Sequence, residues 1–467
     1  MNIHRPYECS GVTPGAFTRR QLLSTVSAGF GWLAFKGLAT AEAASGNPLM
    51  PKAPHFPAKA KRVIFLAMQG GPAHQDLFDY KPKLKEDDGK AGVARGGGAK
   101  LFGSPFAFEQ RGQGGLWISE LFPEVAKHAD KMCMLHGMNT DIPNHPQAFV
   151  QLHTGSAQFV RPSMGAWALY GLGTENQNLP GFITISPPLQ LGGAQLFGSS
   201  FLPAVYQGTR IGQQRADVGD ASIGNLKNED LPTGLQRKQL DLVQEMNREM
   251  LKQSGDNPEI EGVIESFELA FRMQGEIPKV MDFSNETAAT KAMYGIGKGP
   301  ADDFGKQCLM ARRFAEAGVR YIEVCHAGWD QHQQLSTRLR ANCAATDQPI
   351  AALLTDLAQR DLLKDTLVLW GGEFGRTPDG RRPDGRDHNA KGYTMWMAGG
   401  GVKGGISHGA TDDYGYEAVD GKVHITDLHA TILALLGLDH EKLTYRYAGR
   451  DFRLTNVSGN VVKEIIA

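Results

Sequence analysis

Short runs in which nearly every position is apolar alternate along this chain with longer stretches whose apolar residues recur every three to four positions. The short runs are Arg62–Met68, 131–135, 320–324, 366–370 and Tyr393–Ala398. Glycines at 70–71 and 371–372 close two of them, and the composition favours Val, Ile, Leu, Phe and Trp, so they read as strands buried on both faces. The longer period covers 120–129, 235–252, 259–273, 303–317, 337–360 and 425–436, and predicts helices. Helix then strand, repeated, predicts a doubly wound α/β fold whose mostly parallel sheet carries helices on both faces. Residues 181–232 are punctuated by Gly and Pro and hold no period, so an inserted irregular lobe is expected there. Residues 89–98 read as a flexible, Gly-rich loop.

The N-terminus has a different character. Thr18-Arg19-Arg20-Gln21-Leu22-Leu23 precedes a weakly apolar run at 26–39, and Ala41-Glu42-Ala43 offers a small-residue cleavage site. That order predicts a twin-arginine signal peptide over 1–43, and therefore a periplasmic or otherwise exported protein. A Pro-rich tether is expected at 44–61 and a single domain over 62–467. No later segment is apolar enough to span a bilayer, which takes about 20 residues. The whole chain carries 49 basic and 50 acidic groups, and loss of 1–43 leaves a net charge of −3. A nucleic-acid binder would show a basic surplus instead. Cys9 leaves with the signal. Cys133, Cys308, Cys325 and Cys343 remain, and their spacing alone does not pair them.

In an open α/β sheet, ligands bind beyond the carboxyl ends of the strands. His74, Asp76 and Asp79 follow the first predicted strand, and His136, Asp141 and His145 follow the second. His326, Asp330 and His332 come after 320–324, and Glu373, Arg376, Arg386, Asp387 and His388 after 366–370. Asp330 and His332 are separated by one residue, so an extended segment turns both toward one point. Carboxylate and imidazole together suit zinc or manganese, although a solvated loop with a structural His gives the same pattern. Glu373 leaves a buried strand, where its charge costs several kcal/mol unless it is paired or metal-bound; Arg376 and Arg386 are the competing partners. Those arginines either neutralise Asp384 and Asp387 or grip an anion with a bidentate fork. His145 opens a helix, a place that suits either an anion or a cap. Asp76 and Asp79 are either caps or site acids.

Taken together, Gly-Gly-Pro…Asp76…Phe-Asp79-Tyr-Lys-Pro, Trp-Asp330-Gln-His332, Trp-Gly-Gly-Glu373-Phe-Gly-Arg376-Thr-Pro, Gly-Arg386-Asp387-His388-Asn389 and the ending from Thr426 to Arg453 resemble the exported bacterial family known as domain of unknown function 1501. The likeness covers essentially the whole chain after the signal. It implies the alkaline phosphatase/sulfatase superfamily, a doubly wound sheet with metals at its strand ends. By position, Asp330, His332 and His388 would match that superfamily's Asp-His-His metal site. Glu373 would match the acid of a second site, with Phe374 standing where His is usual. His145 falls where a Ser, Thr or formylglycine nucleophile is kept. Gln69, Ala73 and Ile142 stand where His and Ser are frequent.

The expectation is a metal-dependent hydrolase of a phosphate or sulfate ester, with a small molecule or a polysaccharide as substrate. A divalent metal (zinc, manganese or calcium) would sit on Asp330, His332, Glu373 and His388, joined by Asp76. His145 would serve as nucleophile or general acid/base, and Arg376 or Arg386 would hold the non-bridging oxygens. The competing expectation is a degenerate member that binds a carbohydrate or a partner without cleaving it. A redox role finds no dinucleotide fingerprint, haem motif or cysteine cluster.

Overall fold

The computed structural model describes residues 47–92, 98–214, 217–220, 231–255 and 257–467. The expected signal peptide and the centre of the 89–98 loop lie outside those residues.

Nine strands form the central sheet: β1 (Arg62–Met68), β2 (Met132–Asn139), β3 (Phe182–Ile185), β4 (Thr209–Ile211), β5 (Tyr321–His326), β6 (Thr366–Gly371), β7 (Tyr393–Ala398), β8 (Ile406–His408) and β9 (Val423–His424). Their order is β8-β2-β7-β6-β1-β5-β3-β4, with β9 continuing along the same edge of β2 as β8. Every pairing is parallel except those of β7, which runs against both β2 and β6. β1, β6 and β7 are buried at every position, as their unbroken apolar sequences predict.

Helices cover both faces. On the face where Phe65 lies beside Glu323 sits α1 (His145–Thr154), whose His153 meets both side chains. Alongside α1 runs α7 (Ile425–Leu435), joined by His429 Nε2 to the Leu152 carbonyl at 2.8 Å. Opposite lies α5 (Asp302–Glu316), whose Phe304 packs on His326, together with α6 (Leu335–Gln359). Trp370 anchors that face, stacked on Trp396 and edge-on to Phe78, Phe122 and Trp329. A further helix, α2 (Met164–Leu172), precedes β3. Long helices α3 (Thr233–Ser254) and α4 (Pro258–Met281) pair as a hairpin pinned by a bidentate Arg237–Glu268 contact.

Three expectations change. Within the stretch expected as an inserted lobe, residues 182–211 supply β3 and β4 to the sheet, and the 3₁₀ turns between the two strands explain their irregular pattern. Nor do residues 48–61 hang free as a tether. Backbone hydrogen bonds from Lys52 to Leu172, His55 to Gly437 and Lys59 to Leu435 lay them along the domain. The helix expected at 120–129 is a 3₁₀ helix at Val125–Lys131. Cys133, Cys308, Cys325 and Cys343 are buried free thiols. Among the described residues, no helix is long and apolar enough to cross a membrane.

Candidate metal centre

β1, β2, β5 and β6 run parallel, so their carboxyl ends share one edge of the sheet, and the loops beyond them converge. After β1 the chain turns at Gly70 with φ +118°, and the Gly70 N–H donates to both oxygens of Glu373, at 3.0 and 3.1 Å. A Cβ on Gly70 would stand 2.5 Å from the Asp330 nitrogen, so only glycine lets the loops after β1 and β5 close to this degree. Beyond β6, Gly375–Arg376 pairs antiparallel with His388–Asn389, which carries His388 back to the same edge. Gly385 passes against His332, whose carbonyl oxygen would be 2.1 Å from an added Cβ. After β2, the loop reaches His145, the first residue of α1.

These loops gather three imidazoles around one carboxylate. Asp330 Oδ1 lies 3.3 Å from His145 Nε2, 3.1 Å from His332 Nε2 and 3.3 Å from His388 Nε2. The Nε2 atoms of His332 and His388 are 2.9 Å apart. Ligand atoms arranged tetrahedrally at 2.0–2.1 Å around a zinc-sized ion stand roughly 3.4 Å from one another, so the spacing fits a cation. Each ring is also held from behind. His145 Nδ1 meets Glu373 Oε1 at 2.6 Å, His332 Nδ1 meets Asp387 Oδ1 at 3.1 Å, and His388 Nδ1 donates to the Pro143 carbonyl at 2.9 Å. A metal-binding His characteristically donates its other ring N–H in this way, which leaves Nε2 free as the ligand. His145 Nε2 is buried and makes no satisfactory hydrogen bond. A buried ring nitrogen facing a carboxylate, with the His388 imidazole beside it, is what a cation site requires.

The electrostatics agree. Burial opposes charge on His145, but the carboxylates of Asp330 and Glu373 outweigh it and raise the pKa to about 9. Burial likewise works against the Asp330 charge, yet His145, His388 and the Arg376 guanidinium hold that carboxyl far below the usual range. The pocket is built for positive charge opposite Asp330 and Glu373. Burial, then Arg376, lowers the pKa of His332.

The geometry gives each of the expected site residues its partners. Glu373 is fully buried, and its oxygens are taken by Gly70 and His145, so it positions His145 and is not an open ligand. His145 falls in the group whose atoms could hold a cation, and its Nδ1 is engaged by Glu373. Asp76 is remote from the cluster in function: both its oxygens accept from Arg386, at 2.7 and 3.1 Å, and both residues are fully buried. The remaining Arg386 donors go to the carbonyls of Phe102, Thr377 and Pro378. Arg376 is equally buried and donates to the carbonyls of Gly70, Gly71 and Arg386 and, at 2.5 Å, to Asp330. Neither arginine offers a free fork to an ester; they brace the loops. Three further features support the rings. They are the Pro143 carbonyl, the pairing of Asp387 with His332, and the Phe374 ring, packed 4.8 Å from His145 and 4.7 Å from His388. Phe374 walls the inner side with hydrocarbon, where a second cation would need a donor.

The family described as protein of unknown function (DUF1501) matches residues 60–466. No curated protein matches the chain. Similar solved structures include the PsFucS1 sulfatase from Pseudoalteromonas sp. (14% identity, 82% of this chain and 68% of that one, TM-score 0.36). Others are the lipoteichoic acid synthase LtaP from Listeria monocytogenes (8%, 87% and 78%, 0.38) and an alkaline phosphatase superfamily protein from Vibrio parahaemolyticus (9%, 84% and 70%, 0.39). Overlaps this loose leave the chemistry to the geometry above.

Proposed function

The chain belongs to the DUF1501 family, whose description names no activity, and from its site we propose that it is an exported, metal-dependent hydrolase of a phosphate or sulfate ester. One observation carries the reading: Asp330, His145 and His388 present ligand atoms to one point, and His332 stands beside them. A divalent cation held there would supply Lewis-acid polarisation of an ester oxygen. The protein's own part is orientation. Glu373 fixes the His145 ring, Asp387 fixes His332, and the Pro143 carbonyl fixes His388. His332 is the most exposed ring, with about a third of its side chain open to solvent, and is placed to pass a proton between substrate and water. Arg376 keeps Asp330 ionised and turned inward. Folding around a metal before twin-arginine export into the periplasm belongs to the same proposal.

A binding role without cleavage is the second reading. It is favoured by His145 standing, engaged by Glu373, where a hydroxyl nucleophile would be kept. Elemental mass spectrometry of the purified chain, followed by a screen of aryl phosphates, phosphodiesters and sulfates with added divalent metals, separates the two. Near-stoichiometric metal and metal-dependent turnover are expected. Metal without turnover on any ester class would leave the binding reading, and a metal-free protein with full turnover would overturn the metal centre.

A further inference from the structure

Beside α1, a groove of about 410 Å³ opens between that helix and the C-terminal hairpin of Tyr445–Tyr447 and Arg450–Phe452. Asp141 and Ile142 line one end, and Pro143, whose carbonyl holds His388, follows them directly. The groove therefore begins where the metal centre ends.

Its lining combines arginines with aromatic rings. Arg161 and Arg450 both lie over the Phe452 ring, at 4.6 and 4.8 Å from its centroid, and Arg161 also covers Phe159 at 5.1 Å. Among the described residues, neither guanidinium meets a carboxylate. Arg161 reaches only the Val160 carbonyl, and Arg450 only the Asn456 side chain. Two like charges held over one ring repel each other, and Arg450 adds to burial in lowering the pKa of Arg161. A third arginine, Arg453, lines the same groove and pairs with Glu441 at 3.2 Å. The single carboxylate in the lining, Asp141, is already engaged by Gln151 and by His424. Aromatic faces continue the surface. Phe201 stacks on Tyr447 at 5.1 Å and contacts Phe452 at 5.0 Å, while Phe159 and Tyr447 remain 60% and 49% exposed.

Unneutralised guanidinium forks recognise sulfate and phosphate oxygens. Flat, exposed aromatic rings beside them offer apolar faces to the C–H faces of sugar rings. A lone inorganic anion would need only the arginines, and a neutral sugar only the rings. We propose that this groove is a subsite for a sugar chain bearing sulfate or phosphate groups, lying next to the metal centre. It rests on the hydrolase reading only in treating that chain as a substrate; as a binding site it stands by itself.

The test is isothermal titration calorimetry on the full chain with three hexasaccharides of one backbone (sulfated, phosphorylated and uncharged) and with inorganic sulfate and phosphate. The anionic chains are expected to bind at least about tenfold more tightly than the uncharged one, and the Arg161→Gln/Arg450→Gln double variant to lose at least about tenfold of that. Phe159→Ala, at an exposed position, is expected to weaken the hexasaccharides about threefold and leave inorganic anions unchanged. Preference between the sulfated and phosphorylated arms names the natural group. His145→Ala/His388→Ala removes the metal centre and whatever affinity it adds, but is expected to keep the parental preference for anionic over uncharged hexasaccharides, so failure of the metal centre and failure of the groove are read apart. Equal binding of the uncharged chain, parent-like binding by the arginine double variant, inorganic anions as tight as the oligosaccharides, or loss of the anionic preference in the histidine variant would each overturn the proposal.

Discussion

The two ends of α1 carry the same chemical pair in different company. At its start His145 meets the buried Glu373 at 2.6 Å; at its end His153 meets the buried Glu323 at 2.7 Å. In both, burial opposes the charged ring and the carboxylate overcomes it. The difference is in the second ring nitrogen. His153 Nδ1 lies 2.7 Å from the Phe149 carbonyl, one turn back on its own helix, so the ring is closed off inside the core. His145 Nε2 instead faces Asp330 and His388 with no hydrogen bond of its own. A buried His–Glu pair is by itself an ordinary core device. It becomes a candidate site when one nitrogen is left over and other ligand atoms converge on it.

The comparison breaks first at the metal. The His145→Ala/His388→Ala double variant is expected to lose bound metal entirely, whereas His153→Ala should keep the parental stoichiometry. Elemental mass spectrometry of both proteins decides it, and equal metal in the two would erase the distinction between the ends of α1.

Stability should reverse that ranking. His153→Ala strands the Glu323 carboxylate, fully buried and with no solvent to turn to, and removing one member of a buried pair costs about 3–5 kcal/mol. A urea titration with an unchanged slope and a lowered midpoint would show it. Replacing both partners, as His153→Leu with Glu323→Leu, should recover most of the loss, because the cost lies in the unpaired charge. A double variant as unstable as the single would locate the effect in packing instead.

A subtler change sharpens the contrast at the site end. Glu373→Gln keeps the shape and an acceptor for Gly70 but removes the charge behind His145. Substitution of such a carboxylate typically weakens metal binding about 10–100-fold. Competition with a chelator measures it, and an unchanged affinity would mean that Glu373 has no part in holding the metal.

How much of this was legible beforehand follows from what is local. β1, β6 and β7 are unbroken apolar runs, and the rule that ligands gather at strand carboxyl ends brought Asp330, His332, Glu373 and His388 to one edge from sequence alone. β3 is not legible because the four residues Phe-Ile-Thr-Ile between Gly181 and Ser186 carry too little pattern to count. Roles that depend on burial were not readable. Asp76 and Arg386 lie 310 residues apart and become a sealed pair only in the fold. Arg376 has the sequence look of an anion clamp, and only its carbonyl partners show it to be a brace. Glu323, a charge in the middle of an apolar strand, was the visible hint of a buried partner.

A third kind of histidine sets the baseline against which both ends of α1 are judged. His74 and His429 are buried in the domain with no carboxylate partner among the hydrogen bonds they make. In each, Nε2 lies 2.8 Å from a carbonyl, of Gly415 and of Leu152, so it carries the proton and the ring is neutral. Burial pushes both pKa values from 6.5 down to about 4. Above pH 6.5 folded and unfolded chains hold these rings alike, and their stability contribution is complete. As the pH falls below 6.5 the unfolded chain takes up protons that the folded chain refuses until about pH 4, so stability declines across that window. Between pH 6.5 and 5.5 the loss is about 1 kcal/mol for each ring. Measured in the His145→Ala/His388→Ala background, where those two site rings no longer titrate, urea midpoints should fall with pH, and His429→Phe should remove one ring's share of the slope. A slope unchanged by His429→Phe would mean that this ring is charged in the fold. The neutral baseline would then be lost, and with it the argument that a carboxylate is what sets His145 and His153 apart.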